Sequence, residues 1–339
     1  MTEALAKLGF PYPLAAGLHM LVVSVAVLVF ILLNVLILVW LERKVSGDIQ
    51  SRIGPIRVGP LGLFQTAADA LKLLLKEDIV PRAADRAVFI AAPFLAFLPA
   101  LMLYIVLPLD RNLIPQDLSL GILFVIAVGT LPTIGIIMAG WGSNNKYSML
   151  GAMRAAAQAI SYEVPLVLVL ATVVMWAGTL STREIVEAQK GMWFAGPLCV
   201  GFVLLLVCSL AEVNRLPFDI PEAESELVAG FHVEYSGMRF AFFFMGEYAH
   251  LLFVSGLITT LFLGGWHFLP YKPELWGVPG WIWFLAKTYA VILLLMWIRW
   301  TYPRLRVDQL MKFSWKGLVP ASLAYLMIMG FVKIWWASG

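Results

Sequence analysis

An all-α, polytopic membrane fold of eight transmembrane helices, with one further amphipathic helix on the cytoplasmic side, is what this sequence predicts, on three observations. Of its 339 residues 61% are hydrophobic and only 13% charged, too little polar surface to cover a soluble globule. Eight apolar runs reach the about 20 residues that a bilayer core requires. One shorter run repeats its apolar residues at the helical period and turns its charges the other way. The chain reads as a single membrane domain over residues 1–339 without internal repeat, solvated by lipid.

The eight runs are 18–41, 87–108, 118–140, 157–178, 196–216, 239–265, 281–302 and 317–336. The first, after His19, is too long for a signal-peptide core and has no small-residue cleavage motif, so it is expected to stay as an anchor. An even number of spans puts both termini on one side. Basic residues set the orientation. The first connecting loop carries Arg43, Lys44, Arg52, Arg57, Lys72, Lys76, Arg82 and Arg86. The third adds Lys146 and Arg154, the fifth Arg215, and the seventh Arg304, Arg306, Lys312 and Lys316. Against these fifteen stand Lys7, Arg111, Arg183, Lys190, Lys272 and Lys333. The positive-inside rule then places the odd loops in the cytoplasm and both termini on the periplasmic side of a bacterial-type inner membrane. Trp266, Trp276, Trp281, Trp283, Trp335 and Trp336 fall at the predicted outer interface, where an aromatic belt belongs.

Within the first loop, 42–86, residues 63–76 form the amphipathic helix. Leu63, Phe64, Ala67, Ala68, Leu71, Leu74 and Leu75 share one face, while Gln65, Asp69, Lys72 and Lys76 point away. It is too short to span and reads as interfacial. Gly54-Pro55 and Gly59-Pro60 before it are rigid turns.

Glu163, Glu212, Glu247 and Arg299 lie inside apolar runs, where each charge at the bilayer centre costs roughly 2.5–3.5 kcal/mol on the insertion scale. With the helices set by the apolar runs, all four fall within roughly 12 Å of the cytoplasmic boundary at 1.5 Å per residue. That convergence predicts a hydrated cavity opening toward the cytoplasm. Pro165 takes the partner of the Ser161 carbonyl, so a kink or an ordered water beside Glu163 is expected. Glu212 and Arg215, three apart, read either as a local ion pair or as functional groups, and Glu247 has no such neighbour. The fifth loop, 217–238, is acidic, with Asp219, Glu222, Glu224, Glu226 and Glu234. Pro221-Glu222 reads as a helix start that would bring Glu222 and Glu226 together at i and i+4, where like charges raise each other's pKa. Proton exchange and plain solvation explain such a loop about equally well.

A net charge of +3 suggests no nucleic-acid partner. Cys199 and Cys208 fall on opposite helix faces and neither pair nor bind metal. The histidines, His19, His232, His250 and His267, have no ligand spacing, and no dinucleotide or phosphate loop and no iron–sulfur cysteine set is present. No NADH, flavin or iron–sulfur cluster is therefore expected on this chain, and any redox cofactors belong to partner subunits.

Several ordered strings resemble those of the quinone-site membrane subunit of respiratory complex I, the family of NADH:quinone oxidoreductase that comprises the bacterial H subunit and the mitochondrial subunit 1. They are Glu42-Arg43-Lys44; Gln50 through Gly54-Pro55, Gly59-Pro60, Gln65, Asp69, Lys72 and Lys76-Glu77; Ser143-Asn144 to Lys146-Tyr147 with Arg154, Gln158 and Ser161-Tyr162-Glu163; Ala211-Glu212 to Asn214-Arg215 with Pro217-Phe218-Asp219; Glu222 to Glu226 with Glu234-Tyr235; Glu247-Tyr248; and Arg299 with Pro303-Arg304 and Asp308-Gln309-Leu310-Met311. They run from residue 42 to 311 in the family's order.

The resemblance implies eight transmembrane helices and a chamber, shared with peripheral-arm subunits, that a membrane quinone enters from the bilayer as substrate. It implies that Arg43, Arg52, Arg215, Asp219, Phe244, Arg299 and Arg304 line or gate that chamber. Its entrance would lie at the 63–76 helix, with Phe64, Ala67, Ala68, Asp69 and Lys72. The family's acidic path toward the proton-pumping subunits would map onto Glu163, Glu212, Glu222, Glu224, Glu226 and Glu247. Three departures stand out: Thr66 where a proline is common, Val307 where a tyrosine usually precedes Asp308, and His232 where asparagine is expected. His232 reads as an ordinary loop histidine. Two other classes compete. A secondary carrier would show inverted repeats, which are absent, and a quinone-independent anchor of a membrane-bound hydrogenase would not need the quinone-arm strings in loops one, three and five.

Overall fold

The structure, a computed structural model, describes residues 12–221, 224–268 and 277–338. Lys7, Glu222, Lys272 and Trp276 lie outside the described residues, as do the side chains of Glu224 and Trp336. In chain order the helices are α1 (Tyr12–Ile49), α2 (Gln65–Leu75), α3 (Arg86–Met102), α4 (Gly121–Gly129), α5 (Leu131–Gly142), α6 (Lys146–Ala177), α7 (Thr182–Ala188), α8 (Cys199–Glu212), α9 (Glu224–Leu227), α10 (Gly237–Phe262), α11 (Gly280–Thr301), α12 (Val307–Phe313) and α13 (Val319–Ser338). A 3₁₀ turn, Leu103–Val106, extends α3, and a π-helical turn, Ser314–Leu318, joins α12 to α13.

Among the described residues seven helical stretches are long and apolar enough to cross a membrane: Gly17–Ile49, Arg86–Val106, Gly121–Gly142, Lys146–Ala177, Gly237–Phe262, Gly280–Thr301 and Val307–Trp335. The expected eight is thereby corrected. The run at 196–216 contains only α8, 14 residues long, or about 21 Å of helix against a core of about 30 Å. Turns precede it at 194–198, and Asn214 takes a left-handed φ of 52° just after it, a conformation asparagine tolerates better than most residues. The chain still passes from one end of the bundle to the other here. Ala195 N–H bonds the carbonyl of Phe262 at the far end of α10, while Arg215 meets groups at the near end.

Two sets of loops gather at opposite ends. At one, Asn144 bonds Ala83, Asn145 bonds Glu234, the Ile79 amide bonds Ser236, and the Leu305 amide bonds Pro217. At the other, Arg183 meets Asp117 and Thr182 bonds Val106. These are the odd and even loops of the sequence. Small residues let α3 and α5 approach closely: a Cβ on Gly135 would stand 2.6 Å from the Ala96 amide nitrogen.

α10 is the hub. From Tyr248 to Phe262 every residue is buried, and it packs against α1, α3 and α11. Trp281 and Trp335 are exposed, as a belt requires, but Trp266 is buried within the protein, so its ring serves packing instead.

Candidate functional site

The intramembrane charges picked out by sequence position converge. Glu163 on α6, Glu212 on α8, Glu247 on α10 and Arg299 on α11 all line one cavity of about 340 Å³, with Phe244, His232 and His250. A second, small pocket of about 40 Å³ shares Glu163 and Glu212 with it and extends to Val254 and Leu257. The depth of Glu163 is corrected. α6 begins at Lys146, not near Ala157, because Asn145 caps it by accepting from the Tyr147 amide. Glu163 therefore sits near the middle of a 32-residue helix.

Arg215 does not pair with Glu212, because α8 has ended before it. Its Nη1 donates to Glu42 Oε2 at 2.7 Å and its Nε to Glu247 Oε1 at 3.1 Å, and its guanidinium lies 4.6 Å from the Tyr248 ring centroid. Arg299 donates to the other oxygen of Glu42. Two guanidinium groups thus face two carboxylates from α1, α10, α11 and the loop after α8. The planar fork of arginine suits this bridging, and the balance lets Glu42 and Arg215 stay buried while Glu247 and Arg299 are half-buried on the cavity. Glu247, which sequence left without a neighbour, has Arg215.

Glu163 and Glu212 border both the cavity and the small second pocket, with no arginine or lysine in ion-pair contact among the described residues. Glu212 Oε1 instead meets His250 Nε2 at 3.2 Å. Gln158 sets the position of Glu212. Its side-chain amide donates to the carbonyls of Ala211 at 2.7 Å and Phe218 at 2.8 Å, and to Asn214 Oδ1 at 3.0 Å. One buried glutamine thereby shares its two amide hydrogens among acceptors at the end of α8 and just after it, and ties that end to α6.

Next to Glu163, the expected water has a protein substitute. The Ser161 carbonyl, orphaned by Pro165, accepts from the Ser314 hydroxyl at 2.6 Å, and Trp315 Nε1 donates to Ser161 Oγ at 3.1 Å. Both donors come from the π turn, which aims them at α6.

The other expected site residues fall around this centre. Arg43 bonds Asp69 at 2.5 Å, so α2 turns its polar side to α1. Phe64, Leu71, Leu74 and Leu75 are exposed and Ala68 with them, Lys72 is also exposed, and Ala67 is half-buried. Arg52 is exposed just beyond α1, and Asp219 and Arg304 are half-buried; none of the three lines the cavity. The expected rise in the pKa of Glu226 is corrected. This residue is paired with Arg154 at 2.6 Å at the surface, and that hydrogen bond, with Arg154, Arg304 and Arg306 near, holds its carboxyl below the usual range instead of raising it. Burial pushes the His232 imidazole down to about 4, so it is neutral at neutral pH.

Sequence reasoning missed Glu42, His250 and Lys287. Glu42 lies just past the first apolar run, but α1 continues to Ile49 and carries it inside. His250 had no spacing to mark it. Lys287 lies within the run 281–302 and donates to the carbonyls of Leu263 at 2.6 Å and Gly265 at 3.2 Å, capping the end of α10; an inventory of every charge in the apolar runs would have found it. Among the described residues no group of three or more His, Cys, Asp or Glu is placed to hold a metal.

The sequence matches the family model described as NADH dehydrogenase over residues 22–330. Curated relatives named as the H subunit of NADH-quinone oxidoreductase are 50% identical over 320 residues in Geobacillus kaustophilus (94% of this chain and 94% of the relative), 53% over 293 residues in Anoxybacillus flavithermus (86% and 87%), and 51% over 315 residues in Dehalococcoides mccartyi (93% and 87%).

Proposed function

The chain belongs to the NADH dehydrogenase family, a membrane subunit of an oxidoreductase complex, and from that premise we propose that it forms the quinone chamber of an NADH-quinone oxidoreductase with peripheral-arm subunits and couples quinone reduction to proton translocation. The nucleotide site, flavin and iron–sulfur clusters lie in partner subunits, which deliver the electrons. The quinone takes up two electrons and two protons to become the quinol. In this reading Arg215, Arg299, Phe244 and Asp219, with Arg43, Arg52 and Arg304 toward the loops, shape and balance the chamber. Glu163, Glu212 and Glu247, continued by Glu222, Glu224 and Glu226, form the acidic path.

The observation that carries this reading is the meeting of three glutamates and an arginine from four helices on one cavity. The exposed apolar face of α2 supports a quinone doorway there, and the odd loops, gathered at one end, are assigned to the cytoplasmic side. Glu→Gln keeps shape and removes titration. Replacing Glu163, Glu212 and Glu247 together in the assembled complex, reconstituted in vesicles, abolishes proton pumping and the turnover coupled to it. Arg215→Lys instead weakens quinone reduction or inhibitor binding. Full pumping by the triple variant would defeat the coupling reading.

A further inference from the structure

We infer that His250 passes protons between Glu212 and water in the cavity, a role that rests on the proton-path reading above and gives its Glu212 branch a named relay. His250 is 8% exposed and lines the cavity. Its Nε2 lies 3.2 Å from Glu212 Oε1, while its Nδ1 is buried without a hydrogen-bond partner in the protein. An orphaned buried nitrogen is costly, and a water entering from the adjoining cavity, into which Glu163 and Glu212 also face, would offset that cost. A purely structural hydrogen bond to Glu212 needs one nitrogen. A relay needs two: one toward the carboxyl group and one toward the water.

The ionisable groups on the cavity are Glu163 and Tyr162 from α6, Glu212 from α8, His232 from the loop, Glu247 and Tyr248 from α10, and Arg299 from α11. Of these Glu212 is the one that pairs with His250. Glu247 is one turn back on the same helix and is held by Arg215. His250 therefore stands between the arginine-balanced carboxylates and the unbalanced pair, Glu163 and Glu212. In the step, the O–H bond of the Glu212 carboxylic acid breaks as its proton bonds Nε2. The imidazolium then loses its Nδ1 proton to a cavity water. One proton has moved from Glu212 to that water, with no electron transferred, and the ring is left as the other neutral tautomer.

The test compares H250N, H250Q and E212Q in the assembled complex in vesicles, reading protons pumped per NADH oxidised and the pH profile of turnover. Asparagine keeps a hydrogen bond but carries no proton across, so H250N and H250Q lower coupled turnover by about tenfold or more and fall with E212Q. If E212Q pumps less and both His250 variants pump as wild type, the relay is overturned and the acidic path stands. If E212Q also pumps as wild type, the underlying reading fails for this branch. Should neither His250 variant assemble, infrared difference spectra of the wild-type complex with ring-labelled histidine decide: an imidazole protonation change on quinone reduction that is lost in E212Q supports the relay, and its absence overturns it.

Discussion

Glu42 and Arg215 are 173 positions apart in the chain and meet at 2.7 Å, their side chains 8% and 1% exposed. Replacing one member of a buried pair leaves an uncompensated charge, at a cost of about 3–5 kcal/mol. Here Glu42 serves two arginines. E42Q is expected to lower the midpoint of thermal unfolding of the purified complex and its yield. Unchanged stability would mean that water, not Glu42, balances Arg215 and Arg299.

The Ser314 hydroxyl and Pro165 form a compensating couple around the Ser161 carbonyl. S314A leaves that carbonyl unsatisfied and costs about 1–3 kcal/mol. P165A supplies the missing amide, so S314A should cost much less in a P165A background. Equal costs in both backgrounds, by denaturation of the assembled protein, would mean that Ser314 does not serve that carbonyl.

His232 gives a pH dependence with a definite sign. Its folded pKa of about 4 lies below the ordinary value of about 6.5, so the unfolded chain takes the proton first. Stability is full above about 6.5 and falls as pH drops toward about 4, by at most about 3.5 kcal/mol at roughly 1.4 kcal/mol per unit. H232N should flatten that part of the profile in thermal scans between pH 7 and 4. An unaltered acid slope would place the cause elsewhere.

Sidedness can be read with cysteines in a background lacking Cys199 and Cys208. K146C, at the exposed start of α6, should resist a membrane-impermeant reagent added from the periplasmic side, and R111C should react. The reverse pattern would invert the assignment of the loops.

Ala68 lies on the exposed face of α2, so tryptophan there meets the doorway rather than the core. A68W should slow turnover with a long-tailed quinone more than with a short-tailed one. Equal losses would point to a folding defect.

Helices and the gathering of charges were legible because both rest on local chemistry: apolar length sets a span, and a carboxylate in such a span must find company. Glu163, Glu212, Glu247 and Arg299 were found that way, and so was the amphipathic α2. What stayed hidden was the partner of each charge. Arg215 reads as a helix neighbour of Glu212 until the helix is seen to stop at that glutamate, and Glu42 reads as a loop residue until α1 is seen to run past it. His250 carries no signal at all, because a lone histidine at an apolar position is defined only by what another helix brings to it. Ser314 lies 153 positions from Ser161, and nothing in either local sequence announces the other.

The short α8 has a consequence for biosynthesis. Non-helical backbone at membrane depth survives only where protein surrounds it, and both ends of α8 are of that kind. The Ala195 amide waits for the carbonyl of Phe262, and the backbone of Pro217 for the amide of Leu305. Both partners are translated later. Upstream, Gln158 is already in place to receive Ala211 and Phe218. This segment therefore cannot settle in lipid when it leaves the ribosome; it is held first by α6 and sealed only when α10 and the stretch after α11 arrive. A nascent chain truncated before Phe262 would carry Glu212 on a helix whose ends are still unsealed.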